Sequence, residues 1–425
     1  MTRPLFTQAE RRKLSELVSA SREVILSSSF PNGAIVAANS GLAVYPKGAQ
    51  DYLGVWPRDS SYIAMAADCL GMREVPERFF AWCVERCEGF SEQGVFGTQH
   101  HLTGAVGGTA LDREELHLSP GFVKEFLHVG GRCSQFQPDQ NASVIIAAEF
   151  HLRRWGLKLK ENGVIARLVS TAARGLVERW DSSLGPGGGF TIPYWDCWEE
   201  RVCAPGRHHL YSLAMSWRGL SLASELLGGM KAYSGQARRW RAVSEQMRSA
   251  FMLAYSSHDV LPRTFPVRKE KYRHSHAAGA KIDSLTDSSL LGVVWPARML
   301  SPHDQKMVRT VQRICKDNAC RGGLLRYPGD PYCGGMRKGT PTFTGAGPWP
   351  ILSCFAALFH LEAGQPEEAA GHIRWVLANS GRYWPYLPEQ VHAEEKPSIV
   401  PLAWSHAMLV LALDALGFPL GRRKP

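Results

Sequence analysis

Two heptapeptides limit what this chain can fold into. In Ala142-Ser143-Val144-Ile145-Ile146-Ala147-Ala148 and Leu402-Ala403-Trp404-Ser405-His406-Ala407-Met408, small and apolar residues occupy nearly every side of a helix. A helix with no polar face has to be buried all round. The same character recurs from Ser60 to Leu70, from His209 to Leu227 and from Pro350 to Leu361, and a further helix opens at the cap Thr286-Asp287-Ser288-Ser289. Amphipathic segments alternate with these. They run from a Thr7 cap to about Ser27, from Val75 to Cys87, from Gly163 to Trp180, from Gly235 to Tyr255, from Ser301-Pro302-His303-Asp304 onward, and from Pro366 to Asn379. Twelve helices of alternating character predict an all-α fold, an (α/α)6 barrel of six inner and six outer helices with short hairpins in the loops. An α-solenoid of helical pairs is the alternative, but its repeats are shorter and more regular than the spacing of about seventy residues here.

Such a barrel needs one large core. With 425 residues, 44% hydrophobic and 21% charged, the chain has the composition of a globular protein, and residues 1–425 are expected to form a single barrel domain. The net charge of +10 is scattered over clusters such as Arg11-Arg12-Lys13, Arg153-Arg154 and Arg422-Arg423-Lys424, a pattern that argues against nucleic-acid binding. No apolar run reaches membrane-spanning length, and Met1 to Phe6 leads into a charged helix rather than a signal core. The ten cysteines include no Cys-x-x-Cys pair and no zinc-ligand spacing, and His100-His101 and His117 need no metal to explain them. A cytoplasmic monomer or small homo-oligomer without metal or cofactor is the expectation.

The polar and aromatic residues concentrate in loops that precede the apolar helices. Tyr194-Trp195-Asp196-Cys197-Trp198-Glu199-Glu200-Arg201 sets three carboxylates beside two indoles. Rings cover the C–H faces of a sugar while carboxylates bind or activate its hydroxyls, and a carboxyl against indole is desolvated toward the pKa of a general acid. A solvated acidic loop with core tryptophans is the plain alternative. The loops containing Trp56, Gln137, Trp198, Asp287, Trp349 and Glu389 each precede one inner helix, so a barrel brings all six to the same end. Free N–H groups and helix dipoles add polarity there. A mouth lined by Tyr, Trp, Arg, Asp and Glu suits a saccharide better than a phosphate or a lipid.

Five motifs in order resemble the glucoamylase-type enzymes of glycoside hydrolase family 15. They are Tyr52-Leu53-Gly54-Val55-Trp56-Pro57-Arg58-Asp59, Asp196-Cys197-Trp198-Glu199-Glu200, Arg326-Tyr327-Pro328-Gly329-Asp330 with Pro348-Trp349, Pro388-Glu389-Gln390, and Pro401-Leu402-Ala403-Trp404-Ser405. The resemblance implies an inverting exo-α-glucosidase with Glu199 as general acid and Glu389 as general base. An inverting pair stands about 6.5–9.5 Å apart to admit water. Arg58 and Asp59 would hold the terminal glucose, and Glu200 and Arg326 the next sugar. Tyr52, Trp56, Gln137, Asp139, Trp198, Trp349 and Trp404 complete the expected substrate site. Glu200 is the alternative acid, Asp196 a tuner of the acid by like-charge repulsion, and Trp56, Trp349 and Trp404 read singly as core residues. The family's usual Trp before Gln137-x-Asp139 is Cys133 here, which weakens a stacking surface near the second sugar. Neither the N-terminal β-sandwich of many bacterial relatives nor a starch-binding module is expected. Short α-glucosides such as isomaltose or malto-oligosaccharides fit such a barrel. A trehalase, a catalytically dead sugar-binding or regulatory barrel, and a helical scaffold for protein partners are the competing readings.

Overall fold

The computed structural model describes residues 4–49, 51–86, 100–101, 136–266, 285–330, 332, 345–380, 383–392 and 398–421. Among them are α1 (Gln8–Ser28), α2 (Pro57–Cys69), α3 (Glu74–Arg86), α4 (Pro138–Trp155), α5 (Gly163–Val177) and α6 (Leu210–Leu227). There follow α7 (Ser234–Ser257), a 3-10 helix (Ser288–Val293), α8 (Gln305–Asp317), α9 (Pro350–Glu362), α10 (Pro366–Asn379) and α11 (Ala403–Ala415). All thirteen residues of α2 are buried, as are Pro350–Phe359 of α9 and Ala403–Leu413 of α11. The amphipathic α8 buries only Met307, Thr310, Val311 and Ile314, one stripe at helical spacing.

The apolar elements close a ring. α2 packs on α4, α4 on α6, α6 on the 3-10 helix, that helix on α9, α9 on α11, and α11 returns to α2. The intervening helices lie outside them: α5 on α4 and α6, α7 on α6, α10 on α9, and α1 on α11. The fold is the (α/α)6 barrel and not an open solenoid. Inner helices approach closely where side chains are small. A Cβ on Gly219 of α6 would stand 3.0 Å from the Cα of Ala142 in α4, already at the limit of contact.

The eighth helix differs from the expectation. It is not an α-helix but a six-residue 3-10 helix, Ser288–Val293. Asp287 caps it by accepting from Ser289 N–H at 2.8 Å, and Leu290 N–H and Val294 N–H each donate three residues back. Pro296 then stops continuation, because it lacks an N–H and disfavours the α region at Trp295. Gly292 lies so close to the Tyr211 ring that a Cβ would fall 2.4 Å from it. Two other helices start earlier than their apolar runs, because Pro57 and Pro138 fill the first helical position, where a missing N–H costs nothing.

Short antiparallel ladders shape the loops. Tyr194–Trp195 pairs with Val202–Cys203, so residues 196–201 form a hairpin tip. His208–His209 at the entry to α6 pairs with Thr264–Phe265. Residues 87–99 and 102–135 lie outside the described residues, and His100–His101 between them pairs with Gly54–Val55. His117, Cys133 and Arg422-Arg423-Lys424 likewise lie outside the described residues. No helix among the described residues is long and apolar enough to cross a membrane.

Candidate active site

The N-terminal ends of α2 and α4 supply a buried cation and its counterions. Arg58 and Asp59 occupy the first turn of α2, and Asp139 the first turn of α4, where a negative charge suits the helix dipole. Arg58 Nη1 donates to Gln137 Oε1 at 2.8 Å and to Asp139 Oδ2 at 3.0 Å, while Nε is 3.6 Å from Asp59. Gln137 and Asp139 are themselves completely buried. Asp139 acts on the site through Arg58, whereas the Gln137 side chain also reaches Glu199 and pulls its carboxyl down. Arg58 Nη2 remains 3.7 Å from Glu199 Oε1.

Glu199 projects from the hairpin tip. Asp196 Oδ1 accepts from the Glu200 N–H at 2.9 Å and the Arg201 N–H at 3.2 Å, and the Glu199 N–H donates to the Asp196 carbonyl at 3.1 Å. This winding holds Glu199 at φ 58°, a left-handed conformation uncommon for a side-chain-bearing residue. Burial drives its carboxyl up to about 7, against the pull of Arg58 and with a further push from Asp59. The like-charge neighbour is thus Asp59 rather than Asp196. For Asp196, burial is outweighed by Arg263, His209 and the N–H bonds, which hold it down at about 2. It remains an anion that anchors the hairpin tip.

Glu200 is committed elsewhere. It pairs with Arg326 and accepts from Tyr327 Oη at 2.5 Å, so each of its oxygens has a strong donor. Arg326 is clamped in turn by Asp330, with Nε donating to Oδ2 at 2.7 Å and Nη2 to Oδ1 at 2.6 Å. Its guanidinium lies over the rings of Trp198, Tyr332 and Trp349 at 5.5, 4.7 and 5.4 Å. Trp198 donates its indole N–H to Asp287 at 3.0 Å.

The second carboxyl arrives from the segment before α11. Glu389 is 4% exposed, and its Oε1 accepts from Tyr52 Oη at 3.3 Å and Tyr332 Oη at 3.4 Å. The two phenols also contact each other. Burial raises Glu389 to about 8, opposed by Arg326 and the phenol bonds and assisted by Asp59. Gln390 fixes the segment, accepting from Gly347 N–H at 2.7 Å and donating to the Tyr332 carbonyl at 3.1 Å. Asp59 raises both carboxyls, so it lies within electrostatic reach of each.

The expected tryptophans are half or more enclosed. Trp56 packs on Tyr52 at 5.5 Å, Trp349 on Tyr332 at 6.0 Å, and Trp404 stacks on Tyr62 at 5.5 Å beneath Arg58. Their rings form the wall behind the charged groups. Two polar residues escaped the sequence reading: Arg263 in Leu261-Pro262-Arg263-Thr264-Phe265, which carries no motif, and Tyr332, whose only signal is its place two residues after Asp330. Among the described residues no group of three or more His, Cys, Asp or Glu is placed to hold a metal ion.

A closed helical barrel whose mouth gathers carboxyls, arginines and rings has the fold of several carbohydrate-active enzymes. The glucoamylase of Saccharomycopsis fibuligera superposes with a TM-score of 0.66 at 13% identity, over 95% of this chain and 94% of that one. A wild-type glycosidase gives 0.68 at 22% identity, over 97% and 99%. Residues 13–358 match the model of glycosyl hydrolases family 15, so the chain belongs to that family and is a glycoside hydrolase. Among curated relatives, an uncharacterised glycosyl hydrolase of Methanocaldococcus jannaschii is 24% identical over 96% of this chain, which spans 57% of that protein's length. The isomaltose glucohydrolase of Kribbella flavida is 25% identical, over 96% of this chain and 94% of that protein.

Proposed function

We propose that the protein is an inverting, exo-acting α-glucosidase that releases β-D-glucose from the non-reducing end of short α-glucosides. The observation that carries this reading is a pair of carboxyls at the mouth, each with one buried oxygen that makes no hydrogen bond within the protein: Oε1 of Glu199 and Oε2 of Glu389. Most buried polar atoms in folded proteins are bonded, so such oxygens are open to a ligand or a proton. Glu199 gives its proton to the leaving glycosidic oxygen as the C–O bond breaks. Glu389 takes a proton from the water that attacks the anomeric carbon from the opposite face. Tyr52 and Tyr332 hold Glu389 by one oxygen and leave the other for that water. Arg58 and Asp59 bind hydroxyls of the terminal glucose, with Gln137 and Asp139 fixing the guanidinium. Glu200 and Arg326, framed by Trp198 and Trp349, receive the next sugar, and Trp56 and Trp404 back the first. Two carboxyls suffice for proton transfer, so no cofactor enters the scheme.

The Kribbella flavida relative, named for isomaltose, supports a short α-1,6-linked substrate ahead of longer glucans. We extend the proposal to a single barrel acting as a cytoplasmic monomer or small homo-oligomer. A proton NMR time course with isomaltose, maltose and trehalose offered separately tests the reaction. β-Glucose appearing before mutarotation is the expected result, with isomaltose cleaved fastest. α-Glucose appearing first would replace the inverting scheme by a retaining one, and trehalose cleaved fastest would make the enzyme a trehalase.

A further inference from the structure

We infer that Arg263 is a positioning residue for the general acid, acting through the two carboxylates that hold the hairpin tip. The inference rests on the reading of Glu199 as the acid.

Arg263 is 3% exposed and stands outside every motif of the mouth. It comes from the segment whose Thr264–Phe265 pairs with His208–His209, directly beneath the 196–201 tip. Its Nη2 pairs with Asp196 Oδ2, and its Nε lies 3.0 Å from Asp287 Oδ2. These two carboxylates hold opposite sides of the tip. Asp196 accepts the N–H groups of Glu200 and Arg201, while Asp287 accepts the indole N–H of Trp198. Glu199 lies between these holds. Its backbone is left-handed, and Arg58 lies 3.7 Å from its Oε1, a contact kept only while the tip is held in place.

Cys197 of the tip packs into the core, and Trp198 packs against it. A small cavity lined by Trp198, His209, Tyr211, Ser212 and Arg263 lies beside them. Hydrogen bonds and charge therefore add direction to this packing in defining where the tip sits. A planar guanidinium can serve two carboxylates at once in fixed directions, whereas an ammonium acts as a point charge on a flexible stem. The Tyr327 ring, 4.7 Å from the Arg263 guanidinium carbon, fixes the plane from one face. The same ring's hydroxyl bonds Glu200, so one assembly aligns both adjacent glutamates of the tip.

The test compares leaving groups. Maltose and isomaltose need a proton from Glu199 as the C–O bond breaks. In α-D-glucosyl fluoride the C–F bond breaks without a donated proton, while water still attacks the anomeric carbon and loses its proton to Glu389. Arg263→Lys keeps the charge but loses the fork. Its kcat on isomaltose and maltose is expected to fall about 10- to 100-fold with KM changed less than about threefold, since a displacement of about 1 Å in a reacting group costs this much. On α-D-glucosyl fluoride the rate is expected to stay within about threefold of wild type. Asp287→Asn, which keeps an acceptor for Trp198 and is the milder change, should show the same contrast in smaller degree if Arg263→Lys does not fold. Equal losses on glucosides and fluoride, or no loss on either, in a folded variant would overturn the role of Arg263 while leaving the function intact. A wild-type protein that cleaves neither the glucosides nor the fluoride would overturn the functional reading, and this role with it.

Discussion

The barrel buries carboxylates at two places, and it treats them differently. In the last turn of α2, Asp68 is surrounded by donors: His151 Nδ1 lies 2.9 and 3.1 Å from its two oxygens, and the Trp155 indole N–H donates at 2.7 Å. In the loops before the inner helices, Glu199 and Glu389 are also enclosed, yet each keeps one oxygen without a hydrogen bond. Burial raises all three carboxyls, so burial alone does not distinguish a working group from a structural one. The unmet oxygen does. A structure that buries an acceptor without a partner gives up stability that a bonded one retains. At Asp68 donors reach both oxygens, and at the mouth one oxygen of each glutamate has none.

The largest effects should come from the unmet pair. Glu199→Gln and Glu389→Gln preserve shape but remove proton transfer, and each is expected to lower kcat on isomaltose or maltose by about 10²- to 10⁴-fold. The circular dichroism spectrum should be unchanged. Near-wild-type turnover by both would remove these residues from the chemistry. Asp68→Ala probes the other place. Stripping the partner from buried His151 and Trp155 should destabilise the fold by about 3 kcal/mol in urea unfolding, with kcat of the folded enzyme within about twofold of wild type. A large kcat loss there would erase the contrast between the two places.

The barrel was legible because an inner helix has no polar side to hide. α2, α4, α9 and α11 declare their burial residue by residue, and the outer helices declare one stripe. What local pattern could not convey was the shortening of the eighth helix. Its cap reads as an ordinary helix start, and its length is set by Pro296 and by the Tyr211 ring pressed on Gly292, a tertiary contact. The site divides in the same way. Glu199, Glu200, Arg58, Arg326 and Glu389 sit in motifs, whereas the partners that orient them come from afar. Tyr52 reaches Glu389 from 337 residues away, and Arg263 reaches Asp196 from 67. Gln137 and Asp139 are completely buried, and both accept from the Arg58 guanidinium. Residue type was visible in sequence, and its depth in the barrel was not.

The pH dependence sharpens the contrast further. On the proposed mechanism, turnover needs Glu199 protonated and Glu389 ionised. With their carboxyls at about 7 and about 8, the productive form is a minority state whose population peaks between those values. The plot of kcat/KM against pH is therefore expected to be a bell centred between 7 and 8, losing roughly tenfold per unit well outside the limbs. A bell lying wholly below pH 6 would mean that both carboxyls of the free enzyme are far better solvated than their enclosure implies.

The smallest effect is on stability, and its sign is opposite to that on activity. Below the ordinary carboxyl value of 4.5, Glu389 is neutral whether the chain is folded or not. Above it the unfolded chain ionises freely while the folded one holds its proton until about 8. The wild-type fold thus loses stability across this window, by about 1.4 kcal/mol for each unit of separation. Glu389→Gln is neutral throughout and escapes that loss. Its unfolding temperature should match wild type near pH 4.5 and exceed it by up to roughly 5 °C near pH 8. If the variant melted lower than wild type at both pH values, Tyr52 and Tyr332 would be satisfying Glu389 much as His151 and Trp155 satisfy Asp68. Glu389 would then be a structural carboxylate, despite its place at the mouth.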